Sequence, residues 1–191
     1  MSIQQQKEKF RSKLLEQRES ISATEYFGAS AAIIERLKDQ PEFQSAKTVH
    51  SYVSMNKRRE VETQELIIEM LSKGKQIVVP VTNIDEHTLN HVHLTSFKDL
   101  ETNKWGVLEP KSGTEISPSA LDLVIIPMVA ADEYCNRMGY GKGFYDRFLK
   151  QVHAPKIGLI FEQNVVDELP TEEFDIPMDK IITEIRTIHH Q

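Results

Sequence analysis

The sequence has little of what marks secreted, membrane-spanning or nucleic-acid-binding proteins. Its 191 residues include one cysteine, Cys135, so an internal disulfide is impossible. Basic residues number 23 against 29 acidic ones, and the formal charge of -6 has the wrong sign for a protein that covers phosphate backbones. The longest apolar run, residues 121–131, is far shorter than the roughly 20 residues of a membrane helix. We therefore expect a reduced, cytoplasmic protein with no nucleic-acid partner and no membrane span.

The composition is typical of a soluble globular protein. Apolar residues make up 39% of the chain and charged residues 27%, which excludes disordered and fibrous classes. The first nine residues contain no apolar segment of signal-peptide length. The length predicts one domain over residues 1–191, with the amino-terminal helix included.

Two helices are predicted at the start of the chain. Apolar residues recur at helical spacing through Ile3 to Arg18 and indicate an amphipathic helix with a narrow apolar stripe. Ser22, followed three residues later by Glu25, forms a capping box and predicts a second helix that runs to about Lys38.

The rest of the chain alternates between strands and helices. One β-α-β unit is predicted from a strand at residues 48–53, a helix at 63–72 and a strand at 76–81. A second unit combines a strand at 123–127, a helix at 144–151 and a strand at 157–161. Further short strands are expected at residues 89–94 and 181–183, and residues 185–191 are ambiguous. Repeated β-α-β units predict an α/β fold with a parallel sheet.

The most informative segment is a glycine-rich loop between a strand and a helix. It reads Arg137-Met138-Gly139-Tyr140-Gly141-Lys142-Gly143-Phe144-Tyr145-Asp146. Alternating glycines allow positive φ and let backbone N–H groups point at one anion, while the two cations add charge suited to phosphates. Asp146 offers a carboxylate to a divalent metal. The spacing is neither the Rossmann nor the Walker pattern, so a flexible surface turn remains an alternative.

At this loop the sequence resembles the 5-formyltetrahydrofolate cyclo-ligase family, whose signature is Arg-Leu-Gly-x-Gly-x-Gly-Tyr-Tyr-Asp after an apolar strand. The likeness extends over nearly the whole chain, with further matches at Lys7 and Arg11, residues 60–63, 106–110, Asp175 and residues 179–183. This sequence departs from the family pattern at four positions, namely Met128 and Cys135 for glycine, Ala131 for phenylalanine and Phe144 for tyrosine. The resemblance implies a three-layer α/β/α fold.

The resemblance also implies a reaction. Members of the family use ATP and Mg²⁺ to convert 5-formyltetrahydrofolate into 5,10-methenyltetrahydrofolate, releasing ADP and phosphate by way of a phosphorylated formyl group. Such a transfer depends on positioning and charge neutralisation and needs no covalent protein nucleophile. The sequence agrees, because it offers glycines, cations and carboxylates but no serine or cysteine nucleophile motif.

By position, the resemblance assigns roles to individual residues. The nucleotide would contact Lys7, Arg11, Arg137, Gly139, Tyr140, Gly141, Lys142, Gly143, Phe144 and Tyr145. Lys142 and Arg137 would also act catalytically on the transferring phosphoryl group, and Asp146 with Asp179 would bind magnesium. The folate would contact Met55, Glu60 and Trp105, and we expect a monomer.

Several alternatives remain open from the sequence alone. The same loop would suit another ATP-dependent small-molecule kinase, or a non-enzymatic module that binds phosphate or sugar phosphates. Glu60 would otherwise be a solvated turn residue, and Lys7 and Arg11 solvated helix charges. His91 and His93 would share one strand face, but the missing third ligand favours solvent-facing histidines over a metal pair.

Overall fold

The computed structural model describes residues 2–190, so both end residues of the expected domain lie outside the described range. The helices are α1 (Ile3–Glu19), α2 (Ala23–Lys38), α3 (Pro41–Ser45), α4 (Gln64–Ser72) and α5 (Phe144–Leu149). The strands are β1 (Thr48–Ser51), β2 (Gln76–Asn83), β3 (Thr88–Leu94), β4 (Leu100–Thr102), β5 (Leu108–Pro110), β6 (Leu123–Pro127), β7 (Ala130–Asp132), β8 (Arg137–Met138), β9 (Lys156–Leu159), β10 (Val165–Val166), β11 (Lys180–Ile182) and β12 (Thr187–His189). None of the described helices is long and apolar enough to cross a membrane.

A seven-stranded sheet forms the centre of the described chain, in the order β12-β11-β9-β6-β1-β2-β3. The five strands from β11 to β2 run parallel to one another, and the two edge strands are antiparallel to their neighbours. The predicted α/β class with a mostly parallel sheet is confirmed.

Both faces of the sheet are buried, which makes the fold a three-layer sandwich. In β6, Leu123 and Ile125 pack with α2 and α4, whereas Val124 and Ile126 pack with α5 on the other face. This alternation follows from the period of two along a strand, because successive side chains point to opposite faces. A third apolar cluster joins α1 to β7 and β8.

The predicted element boundaries agree closely where local signals are strong. The Ser22 capping box forms with both of its hydrogen bonds, and β6 has the expected limits. Helix α5 ends at Leu149, two residues earlier than expected, and Lys150 caps it. The sequence pattern did not predict the two small sheets, β10-β7-β8 and β4-β5. It also left the segment that forms strand β12 ambiguous.

Candidate active site

The strand order has a switch point between β1 and β6, and we call the region outside the carboxyl ends of these two strands the crevice. The chain continues from β1 to β2 on one side and from β6 to β9 on the other, so the connections diverge at this point. In open α/β sheets, ligands bind outside the carboxyl ends of strands at such a switch point. The loop after β1 carries residues 55–60, and the segment after β6 leads through β7 and β8 into the glycine-rich loop. The two candidate segments therefore converge on one crevice.

The glycine-rich loop adopts a backbone that side chains disfavour. Gly141 has φ of +84° and Gly143 has φ of +68°, and Gly143 is the residue that precedes α5. Gly139 lies outside the positive-φ region. Two of the three loop glycines thus adopt the left-handed conformation that the sequence pattern predicted.

Helix α1 contacts this loop through Arg11. The Arg11 Nε donates to the carbonyl of Gly139 at 2.9 Å, and a second nitrogen forms an ion pair with Glu8. The guanidinium lies directly over Gly141, because a Cβ added there would be 2.8 Å from the Arg11 Cζ. The amino-terminal helix therefore brings a cation to the backbone that would meet an anion.

Lys7, one helical turn earlier, has other partners. Its Nζ lies 2.9 Å from Glu172 and 2.5 Å from Asp175, and it is 5.6 Å from the centre of the Phe174 ring. Burial lowers the pKa of Lys7, but the hydrogen bonds to Asp175 and Glu172 outweigh that effect and the pKa is raised. Lys7 anchors the segment at residues 172–175, and its role in binding a nucleotide stays a prediction.

Buried Arg137 forms an ion pair with the partly exposed Asp146 at the end of the loop. One Nη of Arg137 contacts an Asp146 oxygen, and the Arg137 guanidinium lies 5.7 Å from the centre of the Tyr145 ring. The Nε of Arg137 and the hydroxyl of Tyr145 are buried without a partner among the described residues. Two polar atoms with unmet hydrogen bonds at one place are typical of a site that completes its bonding with a ligand.

The outer side of the loop is basic and exposed. The ammonium group of Lys142 has no hydrogen bond or ion pair within residues 2–190, and the carbonyl of the same residue accepts from Arg147 at 2.9 Å. Arg147 also stacks on the Phe144 ring, with its Cζ 5.7 Å from the ring centre. The structure thus places Lys142, Phe144 and the loop glycines together, with a free cation at the surface.

Glu60 is buried at the end of the β1 loop, not solvated in a turn. Only 4% of its surface is exposed. Its Oε1 accepts from the Tyr140 hydroxyl at 2.7 Å, and its Oε2 accepts from the backbone N–H of Met55 at 2.7 Å. Burial raises the pKa of Glu60, although the Met55 hydrogen bond and the positive charge of Arg18 oppose this. Glu60, Met55 and the glycine-rich loop are therefore brought together.

Trp105 lies at the tip of the β4-β5 hairpin and is 52% exposed. Lys104 stacks on its ring, with 4.4 Å between Nζ and the ring centre. Glu109 ties the hairpin to the carboxyl end of β2, because its Oε1 accepts from the N–H of Thr82 at 2.9 Å. The hairpin thus leaves from the same edge of the sheet as the glycine-rich loop, and its aromatic tip is free to cover a ligand.

Asp179 is not brought to Asp146. It precedes β11, where its Oδ2 accepts from the backbone N–H of Lys156 at 2.7 Å and lies 3.2 Å from the Lys156 Nζ. Lys156 begins β9, so this contact lies at the amino ends of the two strands. The described residues contain no group of three or more histidine, cysteine, aspartate or glutamate side chains arranged to hold a metal. As arranged here, each carboxylate of the predicted magnesium pair is engaged by its own cation, and the pair does not fit a magnesium shell.

His91 is buried, with 8% of its surface exposed, so the prediction of a solvent-facing histidine is wrong at this position. Its Nδ1 lies 3.2 Å from the Nε2 of fully buried His50, and Phe148 stacks on the His91 ring at 4.0 Å. Burial lowers the pKa of His91 to about 4. The free thiol of Cys135 is also buried, and burial raises its pKa to about 11, so nothing activates it.

Arg18 is one of two site residues that sequence reasoning missed. It lies on α1, is 1% exposed and donates to the Tyr140 hydroxyl at 2.6 Å. A usable signal was present, because Arg18 follows Leu14 by four residues and so shares the buried face of the helix. Arg58, also missed, lies 5.7 Å from the centre of the Tyr140 ring.

Comparison with known proteins gives a consistent result. The model of the 5-formyltetrahydrofolate cyclo-ligase family matches residues 3–184. A probable 5-formyltetrahydrofolate cyclo-ligase of Caenorhabditis elegans is 31% identical, with 88% of this chain and 87% of the relative covered. The 5-formyltetrahydrofolate cyclo-ligase of Escherichia coli K12 is 34% identical over 78% of this chain and 84% of its own. The NMR structure of Aquifex aeolicus 5,10-methenyltetrahydrofolate synthetase superimposes with a TM-score of 0.85 at 32% identity, covering 96% of this chain and 92% of that one.

Proposed function

The chain belongs to the 5-formyltetrahydrofolate cyclo-ligase family, and on that premise we propose that it closes 5-formyltetrahydrofolate to 5,10-methenyltetrahydrofolate at the expense of ATP. The observation that carries the proposal is the meeting of the glycine-rich loop and the buried Glu60 in one crevice, where Tyr140 bonds directly to Glu60. One segment suits phosphates and the other suits the N–H groups of a pterin ring.

The chemistry needs a better leaving group than the oxygen of a formyl amide. Transfer of the γ-phosphoryl group of ATP to that oxygen forms a P–O bond as the bond to ADP breaks. N10 of the same folate then attacks the formyl carbon, the C–O bond breaks with release of phosphate, and N10 loses its proton. Because both reacting groups belong to one bound molecule, the protein contributes mainly orientation and charge neutralisation.

The residues at the loop fit the phosphates of ATP. Gly141 and Gly143 have positive φ, and the guanidinium groups of Arg11 and Arg147 lie in the space that a Cβ at these two positions would fill, so two cations flank the loop backbone. The ammonium of Lys142, which has no partner within residues 2–190, would neutralise charge on the transferring phosphoryl. Arg137 would contribute through its Nε, which lacks a partner among the described residues.

The folate would lie against the β1 loop. Glu60 would accept hydrogen bonds from the pterin, the backbone at Met55 would line the same wall, and Trp105 would stack over the ring from its hairpin. All these residues come from one chain, so a monomer would contain the whole site. We expect this monomer in the cytoplasm. Magnesium would accompany ATP as the metal of the nucleotide complex, but no step here depends on Asp146 and Asp179 binding it together.

The direct test is an assay with 5-formyltetrahydrofolate, ATP and magnesium that follows methenyl absorbance and free phosphate together. We expect the two products in a ratio of one to one. Phosphate without a methenyl product would indicate a different ATP-dependent kinase. Binding of nucleotide with neither product would indicate a module that binds phosphate without turnover.

A further inference from the structure

Arg18 is a buried cation that joins three separate parts of the crevice. Its Nε donates to the carbonyl of Arg58 at 2.9 Å, and its Nη1 donates to the carbonyl of Met128 at 2.9 Å. Its Nη2 donates to the Tyr140 hydroxyl at 2.6 Å. These acceptors belong to the turn before Glu60, to the carboxyl end of β6 and to the glycine-rich loop. A buried charge is costly unless it is hydrogen-bonded, so the burial of an arginine side chain on α1 needs an explanation other than the formation of the helix.

Tyr140 extends the contact from Arg18 to Glu60. Its hydroxyl accepts from Arg18 and donates its one proton to the Oε1 of Glu60. The backbone N–H of Met55 holds the Oε2. Both carboxylate oxygens are therefore fixed, and each retains a lone-pair direction that can accept from a ligand.

We propose that Arg18 is a positioning residue for the ring closure: through Tyr140 it holds the Glu60 carboxylate in the orientation that receives the folate and ties it to the nucleotide loop. The proposal rests on the proposed function, in which Glu60 meets the folate. It adds that the nucleotide and folate parts of the crevice share a support, because Tyr140 lies between Gly139 and Gly141.

Electrostatics give the same arrangement a measurable consequence. Burial raises the pKa of Glu60, and the Met55 hydrogen bond, the Arg18 charge, the Tyr140 hydrogen bond and the Arg58 charge lower it. The tyrosines around the carboxylate have pKa values raised chiefly by burial, so they are neutral at physiological pH; they are Tyr26, Tyr52, Tyr140 and Tyr145. Removing the Arg18 or Tyr140 contribution leaves burial less opposed. Glu60 would then take up a proton at a higher pH, and its carboxylate would lose its negative charge.

The test compares Tyr140→Phe and Arg18→Met, which removes the charge and its hydrogen bonds, with the wild-type protein. The pKa of Glu60 is measured by carbon NMR on protein labelled at the glutamate carboxyl groups, with Glu60→Gln to assign the signal. We expect the pKa of Glu60 to rise by about one unit, which corresponds to one hydrogen bond to a charged group. The acid limb of kcat/KM for 5-formyltetrahydrofolate should move up by the same amount.

At neutral pH we expect the KM for folate to rise about tenfold in Tyr140→Phe, while the KM for ATP changes less. Tyr134→Phe is the matched control, because Tyr134 is 60% exposed on the turn between β7 and β8. Its pH profile should match the wild type. If Arg18→Met does not fold, Tyr140→Phe decides the question alone.

A lower melting temperature with an unchanged Glu60 pKa and an unchanged acid limb would overturn the proposal, since Arg18 would then only stabilise the fold. Equal rises in the KM values of folate and ATP would also overturn it. The NMR titration requires no turnover. A wild-type protein that forms no methenyl product would therefore refute the proposed function separately from the Glu60 result.

Discussion

Replacing Gly141 with alanine tests whether the backbone of the glycine-rich loop meets a nucleotide. The added Cβ would lie 2.8 Å from the Arg11 Cζ and 3.0 Å from its Nη2, so the guanidinium would have to shift from its present position. The φ of +84° is also unfavourable for alanine. The substitution thus strains the backbone and displaces a cation at the same time.

The two effects have different sizes and different readouts. Forcing a residue with a Cβ into the left-handed region costs about 1 to 2 kcal/mol, which lowers the melting temperature of a domain of this size by roughly 2 to 8 °C. Losing a charge-assisted hydrogen bond from Arg11 to a phosphate costs about 1.5 to 3 kcal/mol, which weakens ATP binding by roughly tenfold or more.

Gly74→Ala provides the matched control. Gly74 has a similar φ of +76° at the end of α4, but a Cβ there would meet nothing within 4 Å. Isothermal titration with ATP and thermal melts should show comparable destabilisation in both variants and weakened ATP binding only in Gly141→Ala. If Gly141→Ala binds ATP as the wild type does, the loop is only a turn and the assignment is refuted.

Three further predictions concern single side chains. Arg11→Ala should weaken ATP binding by about tenfold in titration calorimetry, whereas Lys9→Ala, on an exposed side of α1, should not; similar affinities in the two variants would contradict the role of Arg11. Glu60→Gln should raise the KM for 5-formyltetrahydrofolate by about tenfold and leave that for ATP nearly unchanged, with exposed Glu65→Gln as control; an unchanged folate KM would exclude Glu60 from the substrate site. Burial lowers the pKa of His91 to about 4, so this side chain takes up its proton at a lower pH in the folded protein than in the unfolded chain. The free energy of unfolding should therefore fall as the pH drops from about 6.5 towards 4. In urea unfolding, His91→Phe should reduce the loss of unfolding free energy between pH 7 and pH 5 by about 2 kcal/mol, and equal losses in the two proteins would contradict this account.

Local signals predicted the elements whose causes are local. The capping box at Ser22 formed because both of its hydrogen bonds join residues three apart. Strand β6 was recognisable because an apolar run bounded by polar residues and proline marks a strand buried on both faces. The small sheet of β7, β8 and β10 was not predicted, because pairing across 34 residues, as between Ala131 and Val165, leaves no periodic pattern in such short strands.

The site also combines features with local causes, which the sequence predicts, and features that depend on distant residues, which it does not. The glycine spacing predicted positive φ at Gly141 and Gly143, because that preference belongs to the residue itself. The environment of Glu60 was not predictable, since its burial depends on Tyr140, which is 80 residues away. Asp179 illustrates the converse, because a match to a family motif says nothing about the neighbour that Lys156 provides in the folded chain.

Helix α1 shows why residue type alone does not reveal which charged side chains reach the site. Arg11 and Arg18 are seven residues apart, which is close to two turns, so both project from nearly the same side of the helix. Arg11 reaches the glycine-rich loop from the outside, and Arg18 reaches the same loop from within through Tyr140. Leu14 lies between them in the apolar cluster with β7 and β8, so the packing that docks the helix also sets the position of both cations. The narrow apolar stripe of α1 lies where the helix meets the crevice, and its polar neighbours provide the cations there.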